Sequence, residues 1–341
     1  MNPLVSADAV HHHHTRQDKP VARLFLFAQL VFVAALVCLI LFFSHTPWFD
    51  TLGVTFVSIF LEALPFMLLG AFIGGFIEVF VSKASITRII PAGTLPAILL
   101  AAGLGLVFPV CECAIVPVVR RLFTKGLPLG AGIAFLLGGP IVNPLVALST
   151  AVAYGNDPTM AWVRIASGYM IAVAMGLLID RFFSRETALA ELPMKRSVEA
   201  NASLPVPTKI FRAVQHGASD FIDICRFLVF GAFVAGVFQT MVARSDMATL
   251  FGSLPLSILA MMLLALLLSL CSEADAFVAA SFRTTLPLAA QMAFMVLGPM
   301  LDLKLIAMYF RLFRKRLILV LSLSTFIIVF VSMMAGSWMV R

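Results

Sequence analysis

The sequence predicts an all-α polytopic membrane protein made of two inverted repeats, each with a re-entrant or broken helix hairpin, behind an extra N-terminal span. Three observations carry that expectation. Hydrophobic residues make up 61% of the 341 and charged residues 12%, with a mean hydropathy of +1.05, whereas soluble domains are about half apolar and a quarter charged. Several apolar runs reach the roughly 20 residues that a helix needs to cross a hydrocarbon core of about 30 Å, and they lack the short alternation of barrel strands. The chain also repeats itself at an offset near 160.

Residues 1–22 are polar and read as a cytoplasmic tail, whose His11–His14 run suits either metal ligation or a flexible tail or expression tag. Residues 23–44 are expected as an uncleaved first span, because the run Phe25–Phe43 is far longer than a signal-peptide core. The first repeat is expected over 53–183, a cytoplasmic linker over 184–220, and the second repeat over 221–340. Phe66, Gly70, Ala71 and Phe72 match Phe227, Gly231, Ala232 and Phe233 at an offset of 161, and Cys111 matches Cys271 at 160. Leu127, Pro128, Phe135, Gly139, Pro140 and Asn143 match Leu286, Pro287, Phe294, Gly298, Pro299 and Asp302 at 159. A collinear set with a cysteine and two prolines is hard to draw by chance from so apolar a chain, which points to a duplication.

Loop charges set the threading. With the N-terminus cytoplasmic, His45–Thr51 carries no Lys or Arg and lies outside, while Lys83 and Arg88 lie inside. Leu95–Val119 could cover about 37 Å as one straight helix, yet Arg120, Arg121 and Lys125 follow it. A full crossing there would put Arg185, Lys195, Arg196, Lys209 and Arg212 outside. A re-entrant hairpin with its tip near Pro109–Cys113 keeps every strong basic cluster in the cytoplasm. Three complete crossings then separate the halves, an odd number that inverts the second against the first.

Pro109-Val-Cys-Glu-Cys-Ala-Ile-Val-Pro117 is the most informative stretch. On a helix Cys111 and Cys113 point about 200° apart, so both face one ligand only where the backbone is unwound. Pro117 removes the amide that would bond the Cys113 carbonyl. Two thiols suit soft species: Cu(I), part of a Zn(II) site, or a trivalent arsenical. The alternative is that these cysteines are small packing residues. In the second half Cys271 stands opposite Cys111 and Glu273 opposite Cys113, which puts Glu112, Glu273 and Asp275 at one depth. A charge at the bilayer centre costs about 2.5–3.5 kcal/mol even on the milder scale, so these acids read as proton carriers, cation ligands or partners of one another.

Gly138-Gly-Pro-Ile-Val-Asn-Pro144 and Gly298-Pro-Met-Leu-Asp302 break two otherwise continuous crossings. Pro140 and Pro299 free the carbonyls of Leu136 and Met295, and Asn143 and Asp302 add side-chain oxygens, as in discontinuous helices that line a pathway. Glu62, Asp223 and Glu78 lie nearer helix ends. The +7 net charge falls between apolar runs rather than along one polar face, which argues for topology signals and against a nucleic-acid partner. The five cysteines lack the spacing of a secreted disulfide framework.

At Phe108–Pro117, Lys125–Pro128, Ala134–Phe135, Gly139–Pro144 and Cys271–Asp275 the chain resembles the ArsP-type predicted permeases, over about residues 55–335. The resemblance implies a permease with the Cys-X-Cys stretch in transport and, for some members, export of trivalent organoarsenicals. A carboxylate between the thiols also suits a metal cation, so a permease or channel for Cu or Zn is the second reading and a membrane-embedded redox or metal-handling enzyme the third. No P-loop is present to support ATP hydrolysis, no cofactor is expected, and the chain is read as no enzyme. The expected partners are a small-molecule or ion substrate and the lipid of a bacterial inner membrane, with homo-oligomerisation left open.

Overall fold

A computed structural model describes residues 47–80, 93–108, 110–190, 205–241 and 253–339. The polar tail with His11–His14, the first span with Cys38, the Lys83 and Arg88 loop, Pro109 and the middle of the linker lie outside the described residues. The chain divides into two compact units, Met1–Gly53 and Val54–Arg341. Of the first, only the opening turns of α1 (Pro47–Phe80) are described.

Nearly all of the described chain is helical, as an all-α membrane protein requires. After α1 come α2 (Thr94–Gly103), α3 (Glu112–Thr124), α4 (Leu129–Gly138), α5 (Pro144–Ala153), α6 (Pro158–Phe182) and the short α7 (Arg185–Ala188). Then follow α8 (Val206–Met241), α9 (Leu254–Leu268), α10 (Ser272–Ser281), α11 (Leu288–Met300), α12 (Leu303–Tyr309) and α13 (Lys315–Met339). Among the described residues, Trp48–Phe80, Pro158–Phe182, Leu288–Tyr309 and Lys315–Ser337 are long and apolar enough to cross a membrane. Their exposed faces suit lipid: on α13, Leu319, Leu323, Ile327 and Val331 recur every fourth residue and are exposed, while Leu317, Leu321 and Val329 are buried.

Leu95–Val119 is not one helix. At ~1.5 Å per residue α2 and α3 are about 15 and 20 Å long, so neither crosses a hydrocarbon core alone. Their directions follow from close approaches at glycines: Ile98 of α2 lies against Gly130 and Gly176, and Ala102 lies against Gly138. Helices α2 and α4 therefore run the same way, and α3 must carry the chain back between them. The same happens later. Carbonyls at the end of α9 reach Lys304, beyond the end of α11, so α10 returns the chain to the start of α11 at Leu288.

Packing and caps recur in the two halves. Helix pairs α2 with α4, α4 with α6, α2 with α6, α5 with α6 and α3 with α4 have counterparts in α9 with α11, α11 with α13, α9 with α13, α12 with α13 and α10 with α11. Pro128 and Pro287 cap α4 and α11 with the same φ of −57° and ψ of 147°, and Cys111 and Cys271 cap α3 and α10 in extended conformations.

Three boundaries differ from the sequence reading. Helix α8 begins at Val206, inside the expected linker, because the half-buried Lys209 and Arg212 sit on a helix that runs past the apolar stretch. Pro117 lies inside α3, and the unwound backbone precedes Glu112 instead. Pro299 stays within α11, so that break falls at Leu301 and Asp302, later than its counterpart after Gly139.

Candidate functional site

The two returns bring two helix N-termini together. Glu112 and Ser272 are the first residues of α3 and α10, and the Ser272 hydroxyl donates to Glu112 Oε2 at 3.3 Å. Neither N-cap side chain bonds the first-turn amides, and the acids of the first turn, Glu112 in α3 and Glu273 and Asp275 in α10, suit the positive end of each helix dipole instead. Cys111, Cys113 and Cys271 all lie within one residue of this contact, and all are free thiols. Cys111 and Cys113 are buried, while Cys271 is half-buried, near Glu62 of α1.

A buried ammonium sits between the tips. Lys304, in the first turn of α12, places Nζ 3.0 Å from Glu112 Oε1, 3.1 Å from the Ser269 carbonyl, 3.3 Å from the Leu270 carbonyl and 3.6 Å from Asp302 Oδ2. Ser269 adopts the left-handed conformation at φ 48°, which ends α9 and turns those carbonyls away from their own helix. Asp302 itself caps α12, its Oδ1 accepting from the Leu305 amide at 2.6 Å. Its partner in the repeat, Asn143, caps α5 through the Leu145 amide at 2.9 Å.

A second buried cation ties the halves together. Arg164 of α6 donates from Nη1 to Thr150 Oγ1 at 2.9 Å, from Nη2 to the Ser272 carbonyl at 2.8 Å and from Nε to the Met295 carbonyl at 3.1 Å. The Met295 carbonyl lacks its usual amide partner because Pro299 stands four residues on. Asp275 Oδ2 lies 3.9 Å from Arg164 Nη2 and has no hydrogen-bond partner. That carboxylate packs over Gly298, where a methyl group would come within 2.6 Å of Oδ2. Nearby, the Tyr154 hydroxyl donates to Gln291 Oε1 at 2.8 Å.

Of the residues singled out by sequence, Cys111, Glu112, Cys113, Cys271, Glu273, Asp275 and Asp302 therefore gather around the tips and the second break. Glu273 accepts weakly from Ser272 at 3.4 Å and is half-buried. Pro140 and Pro299 are buried at their breaks, and Asn143 turns its oxygen to its own helix rather than outward. Glu78 belongs elsewhere, at the helix ends with Arg121 and Lys125. Lys304 and Arg164 were missed; their one signal in the sequence is a basic residue within an apolar run. They change the chemistry: Glu112, Asp275 and Asp302 are three buried carboxylates against two buried cations, one negative charge in excess when all are ionised. Among the described residues, no three His, Cys, Asp or Glu side chains converge to hold a metal ion.

Known proteins share this framework. Residues 49–337 match a family described as predicted permeases, of ArsP type. The chain belongs to this family. The permease is 38% identical to the UPF0718 protein YcgR of Bacillus subtilis over 293 residues, covering 86% of this chain and 98% of YcgR. It is also 38% identical over 265 residues to a Streptococcus mutans protein named as a candidate two-component membrane permease complex subunit, covering 77% and 87%. A third relative, the UPF0718 protein YraQ of Escherichia coli, is 24% identical over 151 residues, 44% of this chain and 42% of YraQ. No solved structure matches. The permease is thus a multi-pass membrane protein for a small molecule or an ion.

Proposed function

We propose that this permease is a secondary transporter that exports a soft, thiophilic solute such as a trivalent organoarsenical from the cytoplasm across a bacterial plasma membrane. The observation that carries the reading is the meeting of the Cys111-Glu112-Cys113 and Cys271-Ser272 tips, which gathers three free thiols, Cys111 and Cys271 on the extended backbone before the helices and Cys113 in the first turn of α3. Unwound backbone at membrane depth survives where protein or a water-filled cavity satisfies it, and two facing half-helices are how inverted-repeat transporters build a substrate site. The matched caps and packing pairs of the two halves support such a repeat, with α2–α3 and α9–α10 as its re-entrant hairpins. Proton coupling is supported by the single excess carboxylate of the buried cluster. Assembly with a second subunit is supported by the name of the Streptococcus mutans relative.

The test is resistance of an arsenical-sensitive host to a trivalent organoarsenical, with Cu and Zn as separate challenges and membrane abundance measured. Cys111→Ser and Cys113→Ser should each abolish protection, Cys271→Ser should weaken it, and Cys38→Ser should leave it intact, because hydroxyls do not replace thiolates at soft centres. Full protection by the Cys111→Ser, Cys113→Ser double variant at equal abundance would make these thiols packing residues.

A further inference from the structure

The surroundings of Lys304 Nζ are those of a bound cation. Four oxygens lie within 3.6 Å: two backbone carbonyls that follow the C-terminal end of α9, and the carboxylates of Glu112 and Asp302. Unwound carbonyls and half-helix C-termini are where transporters of this general design coordinate Na+, since the end of a helix dipole is negative and its last carbonyls are unpaired. These four oxygens, with the Cys113 thiol beside them, suit a hard monovalent ion as well as an ammonium group. The equivalent position in the first half is Leu145, two residues after the capping Asn143 as Lys304 is two after Asp302. Leu145 is 54% exposed on an apolar surface and has no such surroundings. The feature belongs to one half alone.

We propose that the Lys304 ammonium is a tethered counter-ion filling a monovalent-cation site made by Glu112, Asp302 and the Ser269 and Leu270 carbonyls, so that the permease needs no Na+ and shortening Lys304 opens the site to a free cation. The inference rests on reading the tips as the transport site. Glu112 and Asp302 need a positive charge between them whichever way it arrives. A side chain supplies it without loss of translational entropy, and it moves only as far as α12 and the α9–α10 tip allow.

The test uses the full-length permease in nanodiscs and reads Tm in NaCl or NH4Cl against N-methyl-D-glucamine chloride at equal ionic strength, so no transported substrate is needed. The parent should show no difference between the salts. Lys304→Ala should melt lower than the parent and recover roughly 2–4 °C in Na+ or ammonium, a shift set by mass action on the folded state. Lys304→Met, which refills the volume of the stem, and Lys304→Ala with Glu112→Gln should lose that recovery. A Na+-dependent Tm in the parent would show that Lys304 does not fill the site and would overturn the proposal, whether or not Lys304→Ala can be purified. So would equal recovery of Lys304→Ala in N-methyl-D-glucamine, or none in any salt. Failure of the thiol reading would instead appear in the arsenical-resistance assay, which this measurement does not touch.

Discussion

Arg164 has no side-chain exposure to water and four partners from three other helices or their junctions. Removing one member of a buried pair leaves the other charge uncompensated, typically at about 3–5 kcal/mol. Arg164→Met should therefore lower Tm and detergent-extracted yield sharply, and adding Asp275→Asn should restore part of the loss; a double variant no more stable than the single would show that the two charges are uncoupled. The residues with distinctive chemistry, Cys111, Glu112, Cys113 and Asp275, were legible because cysteines in a Cys-X-Cys pattern and acids in apolar runs stand out. Lys304 and Arg164 were not, since basic residues in a membrane chain are first read as topology markers. Their buried partners lie 192 residues away for Glu112 and 108 for the Ser272 carbonyl, separations no local pattern encodes.

At the level of elements, an interruption within Leu95–Val119, where α2 and α3 are separate helices, was legible from loop charge and proline spacing. The start of α8 was not, because Pro205 and Pro207 read as irregular linker, whereas Pro in the first turn of a helix loses only an amide that had no partner. The roles of Asn143 and Asp302 were half legible: their oxygens were expected to line a path, and each spends one on the amides that open the next helix. The hairpin geometry predicts sidedness. With the native cysteines removed, Thr94→Cys before the first hairpin and Pro128→Cys after it, both exposed positions, should react with an impermeant maleimide from one side, and Thr159→Cys from the other. Labelling of Thr94→Cys and Pro128→Cys from opposite sides would make α2–α3 a crossing.

Across the whole molecule the two ends differ in kind. At one end Asp220 of α8 receives Arg120 and Arg121 of α3 at 3.2 and 2.5 Å, while Glu78 of α1 lies 3.5 Å from Arg121 and 3.8 Å from Lys125. Arg185 and Arg314 add hydrogen bonds to the carbonyls of Phe123 and Leu189 at the same end. The opposite end is joined by the neutral pair Tyr154 and Gln291. If the permease alternates between openings, the ionic contacts hold the basic end shut. Asp220→Asn should then speed modification of Cys113 by an impermeant maleimide from that side, about tenfold for each 1.4 kcal/mol by which closure is weakened, with the other cysteines replaced by Ser. An unchanged rate at equal folded fraction would mean that these contacts only brace α3 against α8.

The partners of Arg164 also set a timetable for synthesis. Helix α6 enters the membrane before the Ser272 and Met295 carbonyls exist, for these lie 108 and 131 residues further along the chain. At about 5–20 residues per second, that is an interval of roughly 5–26 s during which the guanidinium has, of its final hydrogen-bond partners, Thr150 alone. The first half alone is thus a nascent intermediate whose Arg164 gains its Ser272, Asp275 and Met295 contacts only once α10 and α11 have been made.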